Sequence, residues 1–298
     1  MRERMKLGVC CVYFYGEDGD WLLPLQLRFI AETLSQYNYT IYAGANRLQP
    51  YLLNALISTP HVKVIDLPNC EDRANTEHAF YLDKLLQVAF ADGCSHLVTL
   101  DSDSFPIAKD WPNMLLDKMH GNSRFSAVLR TENGDTVLPH PCGYFMTRSF
   151  YADHQPSLFP PTVVAESEKY REFLRVTRQR SDTGIGYGYA LWTSKEAWTP
   201  LNRSNRRELH FLLAGIYGDI FFHLGSSSRR PGFHMDYQRR LSLKVAGRLT
   251  QLPLLWRLAE TITEKYLNRN QRTFRKITVH LRANPTKFIE ELRGLTAY

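Results

Sequence analysis

The segment His96-Leu-Val-Thr-Leu-Asp-Ser-Asp-Ser-Phe-Pro106 constrains this chain more than any other. It begins as a short apolar run and ends in two carboxylates one residue apart, which reads as a buried strand opening into a polar site. Side chains alternate along a strand, so Asp101 and Asp103 point the same way and Ser102 the other. Two carboxylates on one face repel each other, and burying them unpaired is costly. A divalent cation relieves that conflict. Mg²⁺ and Mn²⁺ prefer oxygen ligands, and Mg²⁺ is commonly held by one or two carboxylates with phosphate oxygens. Taken by itself, the triplet also reads as a solvated turn after a core strand.

Residues 73–95 predict a helix immediately before this strand. Leu82, Leu85, Leu86 and Ala89 fall at i, i+3, i+4 and i+7 on one face, Asn75 or Thr76 can cap the start, and Gly93 can end it. A first strand is expected over Lys6–Tyr15, a helix over Leu22–Leu34, and further strands over Thr40–Asn46 and Val62–Leu67. Strands alternating with helices predict a mostly parallel sheet covered by helices, and open sheets of that kind place ligands at the carboxyl ends of their strands. Downstream, Trp111–Met119 reads as a short helix with Pro in its first turn, and Phe125–Arg130 and His140–Arg148 read as strands. Glu166–Arg180 reads as a charged helix whose apolar residues are Tyr170, Phe173, Leu174 and Val176. Gly184, Gly186 and Gly188 allow unusual backbone angles or close approach.

The helix, the apolar strand and Asp101-Ser-Asp103, in that order, resemble the donor-binding half of GT-A-fold glycosyltransferases, especially family-2-like bacterial enzymes, over roughly residues 6–230. The resemblance implies a Rossmann-like α/β fold. It implies that Asp101 and Asp103 hold a divalent metal, Mn²⁺ or Mg²⁺, on the diphosphate of a nucleotide sugar. It makes His223, at the end of Ile216–Gly225, a third metal ligand; by itself a lone His there is equally a structural residue. Residues at the end of the first strand contact the base in that family, which puts Tyr13 at the donor site, whereas as an aromatic in a strand it also reads as core. Asn46 reads either as a contact to base or ribose or as a turn residue. Arg73, near a helix start, is placed to face phosphate; Lys84 reads as a surface residue. Gly143 reads as a close approach to the sugar or as a bulge. Asp182 matches the acid that serves as base in inverting members, although Ser181 stands where they often carry Glu; Asp182 also reads as a helix cap.

The implied activity is transfer of a sugar from a nucleotide-diphosphate donor to a carbohydrate, lipid-linked or small-molecule acceptor, with inversion and Asp182 as base. The alternatives are a retaining GT-A enzyme and a non-catalytic protein that binds nucleotide or membrane through its tail. A haloacid-dehalogenase-like phosphatase fits less well, because that family carries its Asp-x-Asp at the first strand.

Charge divides the chain. Residues 229–298 hold fifteen Lys/Arg against five Asp/Glu, while the preceding 228 hold twenty-two against twenty-five. We therefore expect a catalytic unit over 1–230 and a basic helical region over 231–298, with Leu255, Leu258, Ile262 and Tyr266 on one apolar stripe and Phe288, Ile289 and Leu292 on another. Such a tail either packs on the catalytic unit or lies on an anionic membrane surface. It carries no nucleic-acid-binding motif, so no nucleic-acid partner is expected. The absence of a long apolar run or a secretory signal, and five cysteines without metal or disulfide spacing, imply a cytoplasmic setting, with peripheral contact at the inner membrane surface as an option.

Overall fold

The computed structural model describes residues 5–16, 18–72, 75–119, 121, 123–131, 138–179, 182–205, 213–225, 245, 248–249 and 256–294. Among these residues the strands are β1 (Lys6–Tyr13), β2 (Asn38–Ala45), β3 (Val62–Ile65), β4 (His96–Asp101), β5 (Ser104–Pro106), β6 (Phe125–Leu129), β7 (Pro139–Thr147), β8 (Thr199–Asn202), β9 (Gly215–Tyr217) and β10 (Phe221–His223). Seven form a central sheet in the order β3-β2-β1-β4-β7-β6-β8, and three form a small sheet, β5-β10-β9. In the central sheet only β7 runs against its neighbours. This is the mostly parallel, helix-flanked α/β architecture expected, with helices at its C-terminal end.

Four helices set the frame around the site: α1 (Leu22–Thr33), α2 (Pro50–Ser58), α3 (Asn75–Ala91) and α4 (Trp111–Lys118). The chain steps outward from β1 to β2 to β3, and α3 then returns it to the other side of β1, where β4 pairs. That reversal leaves a crevice at the carboxyl ends of β1 and β4, the usual ligand position in such sheets.

The packing follows from the sequence pattern. Leu82, Leu85, Leu86 and Ala89 of α3 are fully buried against Cys10, Val12, Tyr42 and Leu97. Each leucine contributes about 1.5–3 kcal/mol by leaving water. The intervening residues Val9, Ile41, Val98 and Leu100 face the other layer, against Ile30, Leu34, Trp111 and Leu115. Helix α2 is not anticipated by the sequence reading. Pro50 sits in its first turn, and only two of its residues, Leu52 and Leu56, are buried, so its apolar stripe is too narrow to stand out.

The helices Trp256–Ala283 and Pro285–Gly294 close the chain. Phe274, Ile277, Leu281, Phe288, Ile289 and Leu292 share one core with Leu22, Leu25 and Phe29 of α1 and with Phe105 and Phe222 of the small sheet. The expected boundary near residue 230 and Leu255 lie outside the described residues, as does the side chain of Tyr266. Leu258, expected on an apolar stripe, is 53% exposed. The buried face runs instead through Ala259, Asn270, Phe274, Ile277 and Leu281, of which Phe274, Ile277 and Leu281 share the core with α1 and the small sheet. Val176 likewise is exposed, and Tyr170 and Phe173 carry the packing of their helix. Among the described residues, no helix is long and apolar enough to cross a membrane.

Candidate functional site

Asp101 ends β4 and Asp103 stands just before β5. β5 pairs antiparallel with β10 so that His223 lies opposite Ser104, and the Leu224 amide donates to the Asp103 carbonyl at 3.0 Å. Residues 120 positions apart therefore meet: His223 Nε2 lies 3.3 Å from Asp103 Oδ1 and 3.6 Å from Asp101 Oδ2. The three side chains bring one ligand atom each within 4.8 Å of one another. Two carboxylate oxygens and an imidazole nitrogen at that reach fit a divalent cation. Burial disfavours charge on His223, but Cys142 and the Asp103 carboxylate beside it outweigh that and raise it well above an ordinary histidine.

The carboxylate turn is held from beneath. Gln26 of α1, fully buried, donates to the carbonyls of Asp101 at 2.8 Å and Ser104 at 2.5 Å. Ser104 Oγ accepts the Asp101 amide at 2.9 Å, and Ser102 Oγ donates to the Phe14 carbonyl at 3.3 Å. These bonds fix the backbone on which both carboxylates stand.

The first turn of α3 closes the crevice. His78 Nε2 lies 3.9 Å from Asp101 Oδ1. Glu77, buried, takes a two-pronged ion pair from Arg47 at 2.8 and 2.7 Å, which ties this turn to the end of β2. Asn75 Nδ2 donates to Asp182 Oδ1 at 3.3 Å. One helix turn therefore touches both Asp101 and Asp182, and the positive end of a helix dipole favours an anion such as a phosphate.

Asp182 is exposed, and its Oδ1 also accepts the Thr183 amide at 2.8 Å. It precedes the helix Ile185–Ser194, whose start is locked from below. The Leu158 carbonyl accepts the amides of Gly184 and Gly186, each at 3.1 Å, and the Leu158 amide donates to both oxygens of Asp83 at 3.2 and 3.0 Å. Burial pushes the Asp83 carboxyl up to about 7, against the pull of the Leu158 amide and Lys84. Gly184 has φ +98°, and a Cβ there would lie 2.2 Å from the Tyr144 hydroxyl; one on Gly186 would lie 2.0 Å from the Ser157 carbonyl. These glycines serve packing within the protein.

Other expected site residues stand as follows. Tyr13 is wholly buried in the apolar cluster of Cys11, Leu23, Leu52 and Leu56. Asn46 is buried, and its amide donates to the Tyr13 carbonyl at 3.0 Å, joining the ends of β1 and β2. Arg73 lies outside the described residues. Val128 and Phe221 fill the space beside Gly143. Sequence reasoning missed Gln26, His78, His140 and Cys142. Pro141 inside a strand pattern was the available signal for the last two, since proline within a sheet marks an edge or a bulge. Nothing local marks Gln26, a polar residue in an amphipathic helix.

No protein-family description matches the chain, and no curated protein matches it. Among solved structures it is similar to a mannosyltransferase from Pyrobaculum calidifontis in complex with GDP-Man and Mn²⁺, at 12% identity and TM-score 0.47, over 100% of this chain and 82% of that one. It is similar to a Desulfovibrio desulfuricans G20 protein described as a nucleotide-diphospho-sugar transferase, at 10% identity and TM-score 0.41, over 67% and 80%. It is also similar to a cytidylyltransferase from Leptospira borgpetersenii serovar Hardjo-bovis, at 12% identity and TM-score 0.40, over 72% and 82%. Likenesses this distant assign the chain to no family.

Proposed function

We propose that this chain is a metal-dependent glycosyltransferase that moves a sugar from a nucleotide-diphosphate sugar to an acceptor hydroxyl. The reading rests on one observation: Asp101, Asp103 and His223 converge within 4.8 Å at the carboxyl end of β4, beside the start of α3. That corner suits Mn²⁺ or Mg²⁺ together with a diphosphate. A divalent cation held there supplies Lewis-acid neutralisation of a leaving nucleoside diphosphate. Asp101 and Asp103 hold that corner on a turn clamped by Gln26, and the first turn of α3 receives phosphate charge. Asp182, open to solvent and steadied by Asn75, takes the proton of the acceptor hydroxyl. Attack in line with the leaving diphosphate inverts the anomeric centre.

The test is calorimetric titration of UDP, GDP and CDP with and without Mn²⁺, followed by assay of sugar release from the matching nucleotide sugars. Metal-dependent binding with donor hydrolysis supports the reading. Nucleotide affinity that ignores metal, or binding with no donor turnover, removes it.

A further inference from the structure

The helix Trp256–Ala283 turns one face to the protein and the other to solvent. Phe274, Ile277 and Leu281 pack with Leu22 and Leu25 of α1 and with Phe105 and Phe222 of the small sheet. Leu258, Lys265, Arg269, Arg272, Lys276 and Val279 follow one another at steps of seven, four, three, four and three, so they share the opposite face. All six are exposed, Val279 at 64%. Among the described residues, none of the four cations is in an ion pair, and the open hollow they border is lined by this helix alone. At 1.5 Å per residue the cations form a row about 16 Å long. The end of the chain is pinned to the rest of the protein. Arg282 lies over the Trp21 ring at 5.5 Å, and Arg293 Nη2, on the helix Pro285–Gly294, donates to the carbonyls of Asp219 at 2.9 Å and Ile107 at 3.3 Å.

We propose that this row, Lys265, Arg269, Arg272 and Lys276, docks on an anionic phospholipid bilayer. A cationic stripe on a solvated helix is ordinarily offset by acids one turn away. Here, among the described residues, the hollow beside the row is lined by one acid, Glu264. Residues 229–298 hold fifteen Lys/Arg against five Asp/Glu, whereas the preceding 228 hold twenty-two against twenty-five. An anionic plane therefore attracts this side of the molecule and repels the rest, which orients the protein with this helix down. Leu258 and Val279 decide between anionic partners. They extend the row at both ends with exposed apolar side chains, which a lipid interface accepts and a sugar–phosphate backbone does not. The inward face meets Phe105 and Phe222, the neighbours of Ser104 and His223, so this helix and the small sheet lie between such a membrane and the cation corner. The docking surface stands independently of the transferase reading, because its charges take no part in that site.

The test is sedimentation of the full-length protein with vesicles of phosphatidylcholine alone or mixed with phosphatidylglycerol. The wild type should bind the anionic vesicles, ignore the neutral ones, and come off as salt rises from about 0.1 to about 1 M, where the screening length shrinks from about 10 to about 3 Å. Each Lys or Arg near such a surface strengthens attachment about fivefold. Arg272→Gln alone should weaken binding by about that factor, and Lys265→Gln, Arg269→Gln, Arg272→Gln and Lys276→Gln together by at least about 100-fold. All four positions are exposed and glutamine suits a helix, so the fold is kept. Equal charge removed elsewhere, by changing the exposed Lys118, Lys169, Arg171 and Arg175 to Gln, should weaken binding by less than about tenfold. A wild type that ignores anionic vesicles, or a control variant weakened as much as the row variant, overturns the inference. Duplex DNA bound as tightly as the anionic vesicles, with Leu258→Ser and Val279→Ser changing neither, makes the row a general polyanion surface and overturns the lipid assignment. Metal-dependent nucleotide binding reads the transferase proposal separately, and the wild-type vesicle comparison needs no variant.

Discussion

At the cation corner, Asp101 and Asp103 stand on a turn whose carbonyls are held by the buried Gln26. At the other end of the crevice, Asp182 stands exposed on a turn whose support is a chain running from Asp83 through Leu158 to Gly184 and Gly186. On the function proposed above, the contrast follows from what each end would do. Ligands of a cation must be fixed to within about half an ångström, so their backbone is buried and bonded from several sides. A base must meet an acceptor that arrives from solvent, so its carboxylate is left open and only its turn is fixed. The first turn of α3 joins the two ends, through His78 to Asp101 and Asn75 to Asp182.

Removing a ligand tests the rigid end most directly. Asp103→Ala should weaken metal-dependent nucleotide binding by more than about 100-fold, beyond the loss usual for an outer-sphere change. Titration of UDP or GDP with and without Mn²⁺ reads this, and equal affinities in variant and wild type would erase the distinction between the two ends.

The open end should show the opposite signature. Asp182→Asn keeps the shape and loses the proton acceptor, so turnover should fall by about two to four orders of magnitude while donor affinity stays unchanged. Near-normal turnover, or a product that keeps the donor's anomeric configuration, would strip Asp182 of its role.

Gln26→Leu asks how much of the rigid end depends on its clamp. The buried Ser104 carbonyl loses this donor, and the Asp101 carbonyl is left with the Ser104 hydroxyl at 3.2 Å; a buried carbonyl left unsatisfied costs about 1–3 kcal/mol of stability. Mn²⁺ affinity should fall by about 10–100-fold, as for other residues that orient ligands. A variant that loses stability but binds Mn²⁺ as the wild type does would make Gln26 part of the core alone.

The smallest effect concerns the support under Asp182. The folded Asp83 carboxyl titrates at about 7, against about 3.9 in an unfolded chain. Between those values the folded state binds the extra proton. The contribution of Asp83 to stability is therefore complete below about pH 4 and lost as pH rises through 7. Asp83→Asn keeps an acceptor for the Leu158 amide and removes the titration. Its denaturant midpoint should decline less than that of the wild type between pH 5 and 8, and parallel curves would show that Asp83 titrates alike in both states.

The sequence alone sufficed for α3, β4 and their neighbours. Their signals are local: a stripe of Leu82, Leu85, Leu86 and Ala89, a β-branched apolar run, and a pair of carboxylates at its end. Side-chain period and burial act over a few residues, so composition and spacing determine them. Tertiary structure decided what surrounds those carboxylates. Which imidazole meets Asp103 depends on β10 pairing with β5 across more than a hundred residues, and the aim of His140 and Cys142 depends on a bulge set by β6 and Thr99. The face of the helix Trp256–Ala283 that is buried was likewise set by α1 and the small sheet, leaving Leu258 outside. Such choices turn on long-range register, where a shift of one residue reverses which side chains face the site, and no local pattern encodes that register.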